Sequence, residues 1–300
     1  MALGLSNIAA AESLQTLDYH GTQRSFLAHD FSAGKSTALV IVLHGGGGNA
    51  KNAAEQTQFD RVAQREKLIA VYPNGNGRLN NKLLAWNAGH CCAYAMQSRS
   101  DDIGFISALI DHLLNHYSID PNRVYITGLS NGGMMTHQLG IALSNKLAAI
   151  APVIGAVFGD ESAPARALPA VIINGAVDTI VPPTGGTLNM NSDLGPLLRR
   201  ILQKAADKPV LPAGAQAKFW ANANGCKHEQ TSKVSGAELT RYDECRNNAD
   251  VLFYSVTDNG HAWPGGKSAR EGAAKPSITF DANEAIWAFF TEHIRKADTQ

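Results

Sequence analysis

Two kinds of hydrophobic pattern alternate along the chain. One is the short, nearly unbroken apolar run. "TALVIVLH", "LIAVYPN", "RVYIT", "AAIAPVIG", "PAVIING" and "DVLFYSV" are of this kind. They are rich in β-branched and aromatic residues, and together with "RSFLAH" they predict strands. The other is the helical spacing. "DDIGFISALIDHLLNHY" sets Ile103, Ile106, Ile110, Leu113, Leu114 and Tyr117 on one face. "AAEQTQFDRVAQREK", the stretch after Ser130 that carries Met134, Leu139 and Leu143, "AQAKFWANAN" and "DANEAIWAFFTEHIRK" predict further helices. Strands that are apolar throughout, alternating with helices, imply a mostly parallel sheet covered on both faces. Ligands of such sheets bind beyond the carboxyl ends of the strands. Residues 184–214 break the rhythm, and a long insertion between a strand and a helix is usually functional or disordered.

The chain has 300 residues, enough to bury about three quarters of its unfolded surface in a single domain over residues 14–300. Residues 1–13, "MALGLSNIAAAES", form an apolar, small-residue segment with an Ala-x-Ala-like site near Ala9–Ala11. They predict a signal-peptide remnant or a disordered tail, and secretion or a periplasmic location. No apolar run approaches the ~18 residues of a membrane span. Twenty-six basic and 26 acidic residues cancel, which argues against nucleic acid or an anionic membrane as the main partner.

Four cysteines, at 91, 92, 226 and 245, are an even count that suits an oxidising compartment. Their spacing does not suit zinc. Cys226 and Cys245 flank a polar 18-residue stretch that reads as a hairpin or loop excursion, and a bridge closing it would contribute roughly 3 kcal/mol. Cys91 and Cys92 are either a vicinal disulfide or two buried thiols.

Candidate chemistry sits at the predicted strand ends. Gly128-Leu129-Ser130-Asn131-Gly132 follows "RVYIT" directly and precedes a helical pattern. That context is what a nucleophile elbow needs, because a tight strand-to-helix turn must lift the serine Oγ above the sheet. A serine hydroxyl needs a base. Asp178 follows the strand "PAVIING", and His261 follows "DVLFYSV" within a glycine-rich turn, giving the order Ser, Asp, His. Asp258 is the rival acid; His112, His116, His137 and His293 fit less well. After the strand "TALVIVL" come His44 and four glycines. Gly46 N–H, with Gly45 or Gly47 as alternatives, and Asn131 N–H would form an oxyanion hole. No Gly-Lys-Ser/Thr follows "GGGGNAKN", so a phosphate loop is excluded.

At these residues the chain resembles a known family. "LHGGGGNA", "WNAGHCC", "DDIGFISALID", "DPNRVYITGLSNGG", "NGAVDTIVP", "FWANANGC" and "GHAWPGG" occur in this order. The set is similar to the secreted polyhydroxybutyrate depolymerase-like esterases, which in turn resemble feruloyl and acetylxylan esterases. The resemblance spans roughly residues 20–295. It implies an α/β-hydrolase fold with Ser130, Asp178 and His261 as catalytic triad, and a Cys226–Cys245 disulfide. It also puts Trp86, Cys91, Cys92 and Trp263 near the site. Two features depart from the family: Asn174-Gly175 stands where His-Gly is common, and the insertion is longer than usual.

The expected reaction is ester hydrolysis through an acyl-enzyme, without metal or cofactor, on a polymer or its oligomers. Amide cleavage in an anionic polyamide such as poly(aspartic acid), feruloyl or acetylxylan ester cleavage, and a non-catalytic binding protein on the same scaffold are the alternatives. His44, Trp86 and Trp263 are the expected substrate contacts. Arg199 and Arg200 join them on a predicted helix, "LGPLLRRILQKAADKP", whose basic face would attract a carboxylate-bearing polymer or else simply be solvated.

Overall fold

The computed structural model describes residues 14–189 and 206–295. Among them, ten strands form one sheet in the order β1-β2-β4-β3-β5-β6-β7-β10-β9-β8. The central strands are β3 (Thr37–Leu43), β4 (Ile69–Pro73), β5 (Ile119–Leu129), β6 (Ala149–Val153), β7 (Ala170–Gly175) and β10 (Val251–Val256), all parallel. At one edge lie β1 (Gln15–Tyr19) and β2 (Thr22–Asp30), antiparallel to each other and to β4. At the other lies a hairpin of β8 (His228–Val234) and β9 (Ala237–Asp243), with β9 antiparallel to β10. This is the expected mostly parallel sheet, in an α/β-hydrolase fold.

The period-2 rule explains why the central strands are apolar on both faces. In β3, Leu39, Ile41 and Leu43 point into one core, and Ala38, Val40 and Val42 into the other. The first core is closed by helices α4 (Asp102–His116), α5 (Asn131–Ala142) and α6 (Gly214–Asn224). The second is closed by α1 (Ala50–Thr57), α2 (Asp60–Glu66) and α7 (Ala282–Glu292). A short α3 (Ala93–Gln97) follows the paired cysteines.

The single helix expected over "AAEQTQFDRVAQREK" is two. Gln58 takes a left-handed conformation, φ 52°, and Thr57 turns its hydroxyl inward, donating to Ala53 O and accepting from Phe59 N–H. Phe59 is thereby driven into the core. The polar stretch between Cys226 and Cys245 is the β8–β9 hairpin, and a disulfide joins the two cysteines at its base. Cys91 and Cys92 are joined to each other. Most of the predicted basic helix of the insertion, with Arg199 and Arg200, falls outside the described residues; its last four, 206–209, are not helical. The ends of the insertion are anchored: Gly186 pairs with Val210, and Ala206 pairs with Cys91.

Candidate active site

β5 delivers Ser130. The turn from strand to helix is so tight that Ser130 sits at φ 58°, ψ −117°, a conformation costing about 1–3 kcal/mol for a non-glycine residue. Glycine is required around it. A Cβ on Gly128 would lie 2.5 Å from Gly132 O, and one on Gly132 would lie 2.6 Å from both His44 O and Leu43 O. These contacts seat the helix start directly on the end of β3, which carries the glycine loop. Ser130 N–H donates to Val153 O of β6, fixing the turn from the other side.

β7 delivers Asp178. Its Oδ1 accepts from Ile180 N–H (2.7 Å) and Val181 N–H (3.0 Å), closing an Asx-turn. Its Oδ2 accepts from His261 Nδ1–H at 2.8 Å. Turn and imidazole are thus served by the two oxygens of one carboxylate. β10 delivers His261, whose Nε2 lies 2.9 Å from Ser130 Oγ. Asn259 holds that loop: its Nδ2 donates to Gly260 O and Ala262 O, and its Oδ1 accepts from Ser277 N–H. Asp258 lies elsewhere, on the Thr279 hydroxyl. So the three residues brought together are Ser130, His261 and Asp178, with the Asp178 side chain almost wholly buried.

Above Ser130, Asn131 N–H is the first in α5 and has no acceptor within the helix. In the glycine loop, Gly47 N–H donates to Leu84 O and Gly48 N–H to Gly45 O. Gly46 faces Asn131, with a built Cβ 3.6 Å from that of Asn131. The Asn131 side chain is turned away from the site. Its Oδ1 accepts from Trp86 N–H (2.7 Å) and its Nδ2 donates to Trp86 O (3.0 Å). The carboxamide therefore pairs with Trp86 as a second strand would, and pins the loop to the elbow.

His44, Trp86 and Trp263 do not line an open cleft. Each is at most 1% exposed. Trp86 Nε1–H donates to His44 O, and its ring packs on the His44 imidazole at 4.9 Å. Trp263 Nε1–H donates to Asn283 Oδ1 beneath the opposite core. The family resemblance put Trp86 and Trp263 near the site, but their apolar surface turns inward. His44 instead splints the glycine loop. Gly75 N–H donates to its Nε2 at 2.9 Å, so Nδ1 carries the proton and donates to Gly45 O at 2.8 Å.

A second buried imidazole, His137, lies under the elbow, on the helical stretch whose sequence suggested no part for it. Trp220 Nε1–H donates to His137 Nδ1, His137 Nε2–H donates to Gln216 Oε1, and Gln216 Nε2 reaches Asn174 Oδ1. Asn174 Nδ2 then donates to Gly155 O. Asn174, the departure from the family pattern, thus ties β7 to the loop after β6. Burial pushes both His44 and His137 down to about 4, against an ordinary value of 6.5. Between those values the unfolded chain binds protons that the folded chain refuses. Stability is therefore expected to fall as pH drops from 6.5 to about 4, by up to about 3 kcal/mol per histidine. Urea midpoints measured across that range check this, and a flat profile overturns it.

Among the described residues no cluster of three or more His, Cys, Asp or Glu side chains is arranged to hold a metal ion. None of their helices is long and apolar enough to cross a membrane.

Sheet order, elbow and strand-end loops define an α/β-hydrolase. Residues 31–192 match the model of the phospholipase/carboxylesterase family, and the chain belongs to that family. A feruloyl esterase B of Piromyces equi is 29% identical over 79% of this chain and 42% of its own length. A poly(3-hydroxybutyrate) depolymerase of Ralstonia pickettii is 29% identical over 76% of this chain and 48% of its own. The chain thus spans less than half the length of these two relatives. The solved acetyl xylan esterase from Aspergillus awamori shares the fold, with a TM-score of 0.60 at 15% identity over 93% of this chain and 99% of its own.

Proposed function

We propose that the chain is a serine esterase that cleaves esters of a polymer or its oligomers, working in an oxidising compartment outside the cytoplasm. The observation that carries this is the continuous hydrogen-bonded line from Ser130 Oγ through His261 to Asp178 Oδ2, at 2.9 and 2.8 Å. With Nδ1–H committed to Asp178, His261 Nε2 presents a lone pair to the serine hydroxyl. It takes the proton as Oγ attacks the ester carbonyl, and later returns it to the departing alcohol. Water then repeats the cycle and frees the acid.

The carbonyl oxygen gains negative charge beside Asn131 N–H and Gly46 N–H. These donors are held before substrate arrives, by the Trp86 bridge and the His44 splint, so little reorganisation is left for the reaction itself. The ester class is supported by the named relatives, feruloyl esterases and hydroxyalkanoate depolymerases. The compartment is supported by the two disulfides.

A fluorophosphonate probe followed by peptide mapping tests the nucleophile, with label expected on Ser130. Hydroxybutyrate oligomers, methyl ferulate and poly(aspartic acid), assayed side by side, test the substrate class. Turnover of an ester with none of the polyamide is expected. Cleavage of poly(aspartic acid) alone would overturn the ester reading while leaving the nucleophile in place.

A further inference from the structure

The far edge of the sheet is a strand whose every residue is exposed. β8 reads His228-Glu229-Gln230-Thr231-Ser232-Lys233-Val234, pairs with β9 on one side and has no strand on the other among the described residues. It is held firmly at both ends. The Cys226–Cys245 disulfide closes the base of the hairpin. At the tip, the two-residue turn Ser235-Gly236 packs on Thr279, where a Cβ on Gly236 would lie 2.6 Å from Thr279 O. Open edges with unpaired N–H and C=O groups are templates for another strand.

The hydrogen-bonding parity of the hairpin says which groups are free. Lys227 N–H donates to Asp243 O, so Asp243 turns its backbone toward β8. Thr257 N–H donates to Gly236 O, so the even-numbered residues of β9 turn theirs toward β10. The pairs Val234–Ala237, Ser232–Leu239, Gln230–Arg241 and His228–Asp243 therefore exchange the β8–β9 bonds. Glu229, Thr231 and Lys233 point their N–H and C=O outward.

We propose that this edge pairs antiparallel with β8 of a second copy of the chain, about a two-fold axis at Thr231. In that register every outward residue meets an outward residue: Thr231 meets its own counterpart, and Glu229 meets Lys233 twice over. About six interchain hydrogen bonds form. Both cross-strand pairs are of opposite charge, a favourable arrangement on a sheet surface. Each Lys233 already faces Glu238 across the hairpin, so the row alternates in sign through the interface. Shifting either strand by two residues loses both Glu–Lys pairs. An arbitrary foreign strand offers neither the matched charges nor the symmetry, which is why a second copy is the occupant. Such an isologous contact is self-complementary by construction. The rigid hairpin lowers the ordering cost. The edge is only seven residues long, so the dimer belongs to the weak, concentration-dependent class.

Sedimentation velocity over a concentration series is the test. The wild type is expected to move toward twice the chain mass as concentration rises. Lys233→Glu places like charges opposite each other at two points and should raise the dissociation constant roughly tenfold or more. Adding Glu229→Lys restores opposite charges and should restore the dimer. Thr231→Pro removes an outward donor at the axis, leaves the β8–β9 backbone bonds in place while losing the Thr231–Thr240 hydroxyl contact, and should give monomer. None of these residues lies at the Ser130 site, so turnover of a soluble ester and the circular dichroism spectrum should hold. A wild type that is monomeric at every concentration overturns the proposal. So does a dimer indifferent to Lys233→Glu and Thr231→Pro, or one that the double charge swap fails to restore.

Discussion

Ser130→Ala is expected to remove about 10⁶-fold of kcat on a soluble ester, and Asp178→Asn about 10⁴-fold, with the fold of both variants intact. The Asp178 figure is the more informative, because the site predicts how the loss arises. An asparagine can keep its Oδ1 where the carboxylate Oδ1 is, accepting from Ile180 and Val181 N–H. The turn then survives. The Nδ2 group points at His261 Nδ1 and offers a proton where Asp178 accepts one. His261 must then carry its proton on Nε2, toward Ser130 Oγ, and the base is lost. The thermal midpoint should change little while kcat collapses. If activity stays within tenfold of wild type, Asp178 is not the acid. Asp258 would then have to leave Thr279 to replace it.

The proposed triad is legible in the amino-acid sequence for a simple reason. Three apolar runs each end in a residue of the right type, and parallel strands end on the same side of a sheet. β5, β7 and β10 supply Ser130, Asp178 and His261, and only β6 intervenes between the first two. The supports of the site are not legible there. Asn131 reads as the donor of a backbone N–H, but nothing local says that its carboxamide grips the backbone of Trp86, 45 residues away. His44, Trp86 and Trp263 carry groups that suit a cleft or a core equally well, and only the direction of each side chain decides. The break at Gln58 is hidden for another reason: every residue of "AAEQTQFDRVAQREK" tolerates a helix, and the burial of Phe59 overrides that propensity.

The hydrophobic pattern also conceals a charge. Asp102 opens the amphipathic helix α4, and an acid in a first turn is favoured by the helix dipole even at a solvated surface. It is instead 1% exposed and paired with Arg24, itself 8% exposed, at 2.8 Å. Asp102 Oδ1 also accepts from the Ser100 hydroxyl, and Oδ2 from Asn87 N–H. Arg24 donates further to Asn74 O, and its guanidinium lies 4.0 Å over the Phe105 ring. Removing the acid leaves a buried guanidinium with a carbonyl and a ring face but no carboxylate bonded to it, only the field of Asp101 next along the chain. Asp102→Ala should therefore cost about 3–5 kcal/mol, a drop in Tm of about 5–8 °C. The pair need not be a net stabiliser, since two charges were taken out of water to make it. The double variant Arg24→Met with Asp102→Leu should then cost less than Asp102→Ala alone. Activity carries a second signature. Asn87 follows Trp86, whose N–H and C=O hold the Asn131 carboxamide, so loosening Asn87 frees the residue whose N–H is the proposed oxyanion donor. Asp102→Ala should lower kcat at temperatures well below its melting midpoint, with KM for a small ester little changed. Denaturant titration of the three chains beside steady-state kinetics decides it. A loss below about 1 kcal/mol for Asp102→Ala would mean that water reaches Arg24 and that the pair is a surface interaction after all.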